Sequence, residues 1–281
     1  MAEPHPPTQC WIWSGTAFEP RDTIPLTDRG FRYGMSVFES LRILDGHVGF
    51  LSEHLCSITD AARRKEFRFP EESLKHVATA LGRVQGSAFA RIYITAGDGP
   101  PQAPATECRV ALICEKRDRV LPETYDLTVD ACTQQGWGET LKTGNYWPNV
   151  AALNRALREG ANETLLLNFH GNVVGCAMAN IFLKIGDAWC TPAPEDGARS
   201  GVTRAWVRSQ IKVRERSISQ AEAESASGAF LTSSWIGVMP VASLRGRTLQ
   251  TDAGTLALKS ALEQRHSDGA AQLQASKRSG P

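Results

Sequence analysis

Residues 28–47 read Asp28-Arg29-Gly30-Phe31-Arg32-Tyr33-Gly34-Met35-Ser36-Val37-Phe38-Glu39-Ser40-Leu41-Arg42-Ile43-Leu44-Asp45-Gly46-His47. From Phe38 to Leu44 the chain partly alternates, and Asp45-Gly46-His47 is a turn sequence. Together they predict a β-hairpin. Directly after it, Leu51, Leu55, Ile58 and Ala62 fall at three- and four-residue steps, so residues 51–65 read as a helix opened by Ser52-Glu53. Phe69-Pro70 breaks it, and residues 71–84 begin another. Residues 89–95 form a strand closed by the turn cluster Gly97-Asp98-Gly99-Pro100-Pro101, and residues 109–114 form the next.

Polar composition over residues 115–123 marks a linker. Beyond it strands are expected near 125–131, 163–168, from 173 onward, 181–185, 188–190 and 229–232. Helices are expected over 149–158, 202–211 and 254–262, the first stopping at Gly160. This alternation gives an α/β chain in three parts: a first α/β domain over 1–120, a second over 121–265, and a disordered polar tail over 266–281.

With 281 residues, 42% of them hydrophobic, the chain can bury a sizeable core. Lys and Arg number 31 against 30 Asp and Glu, a net charge of +1 that offers no global field for nucleic acid or an anionic membrane. Seven dispersed cysteines (Cys10, Cys56, Cys108, Cys114, Cys132, Cys176 and Cys190) contain no C-x-x-C pair and fit a reducing, cytoplasmic setting without a zinc site or disulfide framework. The N-terminus does not read as a signal peptide, and no apolar run is long enough to span a bilayer.

Neither phosphate-loop, dinucleotide, zinc-helix nor serine-elbow motifs occur. What remains is Lys142, in Glu139-Thr140-Leu141-Lys142-Thr143-Gly144-Asn145-Tyr146, just before a helix. Gly201-Val202-Thr203 opens another helix, where free N–H groups and the helix dipole favour a phosphate. Thr232-Ser233-Ser234 adds hydroxyl and N–H donors. A lysine for a Schiff base with a separate phosphate cup is the layout that pyridoxal 5'-phosphate (PLP) needs.

From about Thr23 to Leu262 the chain resembles the class IV aminotransferases of PLP fold type IV. The carriers are Asp28-Arg29-Gly30-Phe31-Arg32-Tyr33-Gly34, Val37-Phe38-Glu39-Ser40-Leu41-Arg42, Lys142, Gly160-Ala161-Asn162-Glu163, Asn180-Ile181-Phe182 and Gly201-Val202-Thr203-Arg204. The run from Leu231 to Val241 around Trp235 looks most like the aminodeoxychorismate lyase branch. The resemblance implies two α/β domains with the cofactor cleft between them, a homodimer, and a small-molecule amine or amino-acid substrate. It also implies roles. Lys142, in the second domain, would be the Schiff-base lysine; Val202, Thr203, Ser233 and Ser234 would hold the phosphate; Phe38, Ser40 and Arg42 would face the substrate.

Three positions depart from the family pattern. Gly175 stands where a carboxylate would face the pyridine nitrogen, Ser57 where an arginine would pair the phosphate, and Ala96 where transaminases often carry a carboxylate-binding arginine. Arg63, Arg64 or Arg204 are the candidate replacements for the arginine missing at 57. Three functions are therefore carried forward: a lyase that captures the substrate amine, removes the α-proton and eliminates to pyruvate and 4-aminobenzoate; a transaminase on a small amino acid; and a diverged homologue without PLP chemistry. Bland readings accompany them: Asp28 and Arg29 pinning a turn by a salt bridge, His54 as a structural histidine, and Cys176 as an inert thiol.

Overall fold

The structure, a computed structural model, describes residues 8–130 and 141–278. Cys132 and the Glu139-Thr140 start of the lysine stretch lie outside these. The chain divides into two compact units. The first takes in the described residues up to Val120, Lys142–Asn145, and those from Gln264 on; the second takes in the remainder. Lys142 thus belongs with the first unit, a correction to its expected place in the second domain.

In the first unit the order is β1 (Thr8–Trp13), β2 (Phe18–Pro20), α1 (Arg29–Tyr33), β3 (Ser36–Leu44), β4 (His47–Val48), α2 (Leu51–Arg64), α3 (Val77–Leu81), β5 (Ser87–Thr95) and β6 (Arg109–Lys116). The strands form an antiparallel sheet in the order β2-β1-β6-β5-β3-β4. Asp45 and Gly46 both take positive φ, 48° and 80°, which suits a tight turn matched to the strand twist. A single 14-residue helix, α2, carries its buried residues at His54, Ile58, Ala61 and Ala62. The helix expected over 71–84 is instead a 3₁₀ stretch, Glu71–His76, running into the short α3.

The second unit runs β7 (Tyr125–Asp130), α4 (Trp147–Arg158), β8 (Glu163–Leu167), β9 (Val173–Cys176), β10 (Asn180–Ile185), β11 (Ala188–Pro192), α5 (Val202–Gln210), β12 (Val213–Arg216), α6 (Gln220–Ser225), β13 (Gly228–Ser233), β14 (Gly237–Leu244), β15 (Arg247–Thr248) and α7 (Ala253–Arg278). Its mixed sheet has the order β12-β11-β10-β13-β14-β7-β8-β9, with β15 on β14. One face buries Leu165, Ile181, Leu231, Met239 and Val241. On the other, α4 packs Ala152 against Leu166, Val174 and Ala177.

Helix α7 overturns the expectation of a disordered tail. It continues through Arg278, and its residues from Gln264 on pack in the first unit. His266 and Ala270 are buried. Gln274 Nε2 donates to Asp45 O at 2.9 Å, and Lys277 Nζ to Gly82 O at 2.7 Å. The fit relies on two glycines: a Cβ on Gly49 would lie 2.0 Å from His266 Cε1, and one on Gly269 would lie 2.3 Å from His47 Nε2. Burial, and then the Arg265 guanidinium, push His47 below the usual imidazole value. Overpacking of a seated ring costs roughly 1–3 kcal/mol. Gly49→Ala is therefore expected to lower the stability of the first unit by about that amount, read by urea denaturation; an unchanged midpoint would refute the docking.

Candidate active site

Strand β3 is buried on both faces, so its alternating side chains serve two purposes. The odd face meets α2. There Glu39 is buried, with His54 Nδ1 2.9 Å from Oε2 and Ser57 Oγ donating to Oε1 at 3.0 Å. His54 is structural, as its bland reading had it. Ser57 does not leave a hole where the family arginine would stand; its hydroxyl helps satisfy a buried carboxylate.

The even face carries Phe38, Ser40 and Arg42, all buried. Lys142 reaches this face from 102 residues away, with Nζ donating to Ser40 Oγ at 2.9 Å and lying 4.9 Å from the Phe38 ring centroid. Its backbone is added to the edge of β3. Phe38 N–H donates to Lys142 O and Gly144 N–H to Ser36 O, both at 2.9 Å, and Val37 bridges Thr143 antiparallel. Two glycines permit this approach. A Cβ on Gly144 would lie 2.4 Å from Ser36 Oγ, and one on Gly34 would lie 2.1 Å from Asn145 Oδ1. Gly34 caps α1 in the left-handed conformation, at φ 67°.

The register of β5 extends the same face. Phe38 is opposite Tyr93, Ser40 opposite Arg91, and Arg42 opposite Phe89. Phe38 and Tyr93 stack at 5.4 Å, and Arg91 lies 4.6 Å from the Phe89 ring and 3.5 Å from a Glu115 oxygen. Burial pushes the Tyr93 phenol up. Arg91 and Tyr93 were missed in the sequence, although Phe89, Arg91 and Tyr93 share the period-two spacing of a strand face.

The salt bridge at the Asp28-Arg29 turn is between Asp28 and Arg109, while Arg29 binds carbonyls. Buried Asp28 accepts from Gly30 N–H at 2.7 Å, Thr95 Oγ1 at 2.8 Å and Arg109 Nη1 at 2.7 Å. Arg29 turns its guanidinium onto the carbonyls of Ala96, Gly97 and Ala103. Ala96 is fully buried in this arrangement.

In the second unit, helix α5 starts at Gly201, which has no side-chain cap on the first turn. The first N–H groups of a helix have no intrahelical acceptor. A Cβ on Gly201 would lie 2.1 Å from Asn180 Oδ1, so the helix start is seated on that side chain. Asn180 is in register with Thr232 on β13. Thr232 Oγ1 is buried and has no hydrogen-bond partner among the described residues. A buried hydroxyl without a partner beside a helix N-terminus is the donor set of an anion site. Thr203 is buried, Ser233 and Ser234 are half-buried, and Ser233 Oγ accepts from Ile236 N–H at 3.3 Å. Thr232 was quoted in the sequence motif but not chosen as a site residue, because an inward strand threonine is indistinguishable there from a packed one.

Two of the three proposed replacement arginines, Arg204 and Arg63, are engaged elsewhere. Arg204 Nη2 donates to Pro192 O at 2.9 Å and to Glu215 Oε2 at 2.5 Å, and Arg63 pairs with Glu71 on the surface. Gly175, at φ 147°, holds a backbone conformation that side-chain-bearing residues rarely adopt, and its Cβ would meet only Ala179 O, at 3.3 Å. A glutamate placed at 175 would therefore be strained. Cys176 beside it is buried, and burial together with Glu163 pushes its thiol well above the usual range.

The sequence profile described as amino-transferase class IV matches residues 36–244. A putative branched-chain-amino-acid aminotransferase of Methanocaldococcus jannaschii is 26% identical over 242 residues, covering 80% of this chain and 84% of that protein. Among solved structures, 4-amino-4-deoxychorismate lyase from Pseudomonas aeruginosa aligns with a TM-score of 0.80 at 24% identity, covering 91% of this chain and 98% of that one. A branched-chain aminotransferase from Thermoproteus uzoniensis aligns with a TM-score of 0.81 at 20% identity, over 91% and 93%. With the profile spanning most of its length, and its architecture that of fold type IV PLP enzymes, the chain belongs to the class IV aminotransferase family.

Proposed function

We propose that the protein is a PLP-dependent lyase acting on a small-molecule amine, of the aminodeoxychorismate lyase type. The observation that carries this reading is Lys142, mounted on β3 with Nζ against Ser40 and Phe38. The chain carries residues of the right chemistry for two of the three anchors the resemblance calls for. Lys142 is an amine for its carbonyl; the start of α5 at Val202 and Thr203, with Thr232, Ser233 and Ser234, offers donors for its phosphate. No carboxylate stands at 175 for the ring nitrogen.

When bound, PLP supplies an electron sink for the substrate α-carbon. Lys142 Nζ takes the α-proton and returns it, and Ser40 Oγ fixes the direction of the amine by accepting one of its hydrogens. Arg42 and Arg91, sharing the face with Phe38 and Tyr93, hold a substrate carboxylate against an aromatic floor. Gly175 favours elimination over transamination, because a ring nitrogen without a carboxylate partner makes a weaker sink and elimination drains charge into a leaving group. The segment around Trp235, which packs against the second unit's core, supports the same branch. A transaminase on a small amino acid is the second reading, favoured by the name of the archaeal relative. The exposed apolar residues Leu26, Phe31 and Tyr33 support a homodimer.

Added PLP is expected to give the purified protein a visible absorption band that Lys142→Ala lacks. The same substitution should lower turnover by about a thousandfold or more. Thr232→Val should weaken PLP uptake several-fold, roughly 3–10, by removing a buried donor. Pyruvate and 4-aminobenzoate released from aminodeoxychorismate would select the lyase, and keto acid formed from an amino donor the transaminase. No PLP-dependent band in the wild type would overturn both in favour of a homologue without PLP chemistry.

A further inference from the structure

Glu163 opens β8, ahead of the apolar run Thr164-Leu165-Leu166-Leu167, and only 3% of it is exposed. A carboxylate so placed needs partners, and it finds three backbone donors. Oε1 accepts from Thr164 N–H at 2.9 Å and Ala177 N–H at 3.1 Å, and Oε2 accepts from Met178 N–H at 2.9 Å. Ala177 and Met178 belong to the turn that joins β9 to β10. The same turn is held from its other side by α4 and the residue before it: Asn149 Nδ2 donates to Ala177 O at 2.7 Å, and Tyr146 OH at 3.4 Å. Cys176 N–H closes it onto Ala179 O at 2.8 Å.

What lies at the two ends of this turn gives the grip its meaning. On one side is Gly175, where the family pattern keeps a carboxylate. On the other is Asn180, which seats Gly201 at the start of α5 and faces Thr232 across the strands. We infer that Glu163 is a positioning residue, gripping Ala177 and Met178 so that the Gly175 end and the Asn180 end of the cofactor bed keep their spacing without a side chain at 175. This rests on the cofactor reading above.

Burial pushes the Glu163 carboxyl up to about 7, the three N–H donors opposing but not cancelling that cost. The titratable groups facing it are the Cys176 thiol on β9, itself pushed up, and, across the turn, the Tyr146 phenol. Because the folded value lies above the ordinary 4.5, the folded state binds the extra proton, and ionisation costs fold stability as pH rises between them. The ionised form nevertheless accepts all three N–H groups, whereas protonation turns one oxygen into a donor. The grip is therefore tight above neutral pH and relaxed below it.

The experiment follows the backbone amide signals of Ala177 and Met178 in the full chain, without cofactor, across neutral pH, alongside PLP binding by wild type, Glu163→Gln and Glu163→Asp. Both amides are expected to titrate together with a midpoint about 7 in the wild type and to stop titrating in Glu163→Gln. PLP should bind Glu163→Gln about tenfold more weakly, with part of that loss recovered in Glu163→Asp. Amides that do not titrate in the wild type, or wild-type PLP affinity in Glu163→Gln, would overturn the inference. Should Glu163→Gln fail to fold, the wild-type titration decides alone. Absence of PLP uptake by the wild type would count against the cofactor reading only, and the amide titration then still judges the grip.

Discussion

Gly34→Ala is expected to cut Lys142-dependent turnover about a hundredfold while leaving most of the fold in place, because a displacement of about 1 Å at a reacting group can cost that much. Two effects coincide at this glycine. Its φ of 67° costs a side-chain-bearing residue roughly 1–2 kcal/mol. Its new methyl would also sit 2.1 Å from Asn145 Oδ1 and 2.9 Å from Asn145 Cγ. Asn145 is three residues from Lys142, in the segment stitched to β3 by the backbone bonds Phe38 N–H to Lys142 O and Gly144 N–H to Ser36 O. The loop is therefore the part that gives way, and Lys142 Nζ leaves Ser40. The companion variant Gly34→Ala/Asn145→Ala separates the two effects. It removes the collision but keeps the strained φ, so turnover should recover in part. Wild-type turnover in Gly34→Ala would show that the lysine does not depend on this mount.

Local features of the chain were legible because they are set by neighbours in sequence. The β3–β4 hairpin follows from alternation and an Asp-Gly turn, and α2 from a helical stripe. Val202 and Thr203 could be named as candidate phosphate donors because a helix start is a local signal. Long-range pairings carried no such signal. The lysine mount joins residues 102 apart, and Asp28 finds Arg109 rather than the adjacent Arg29. The end of α7 was misread for a related reason. Its glycine and small polar residues lower intrinsic helix propensity, yet Gly269 is required there to seat His47. Thr8–Trp13 was missed as a strand because its pairing is with β6, far along the chain.

The departures from the family pattern also change meaning once placed. Ser57 and Gly175 read in sequence as two lost anchors. In the fold, Ser57 completes the buried Glu39 cluster, and Gly175 sits in a backbone conformation of its own. The candidate anion donors that remain at the start of α5 and on β13 are backbone groups and hydroxyls, consistent with a chain of net charge +1.

Arg29→Met is expected to lower the stability of the first unit by about 3–5 kcal/mol, the cost of leaving several buried carbonyls without a donor. Only 1% of Arg29 is exposed. Its Nε donates to Gly97 O at 3.2 Å and its Nη1 to Ala103 O at 2.6 Å, with Nη2 on Ala96 O. The loop it serves contains Pro100, Pro101 and Pro104, which bring carbonyls but no N–H groups; its own pairing includes Ala103 N–H to Pro100 O at 3.1 Å and Thr106 N–H to Pro104 O at 3.2 Å, which leaves the carbonyls of Ala96, Gly97 and Ala103 to Arg29. A planar fork of donors with no acceptor is what such a loop needs. The decisive comparison is Arg29→Lys. If the role of Arg29 were charge, as partner to Asp28, lysine would restore most of the stability. Because the role is geometric, one ammonium cannot reach carbonyls on three sides, and Arg29→Lys should lose nearly as much as Arg29→Met. Urea denaturation measures the loss, and proteolysis within residues 98–104 reports whether the loop is what opens. A wild-type midpoint for Arg29→Lys would show that charge alone holds the loop, and that Arg109, already 2.7 Å from Asp28, shares that work.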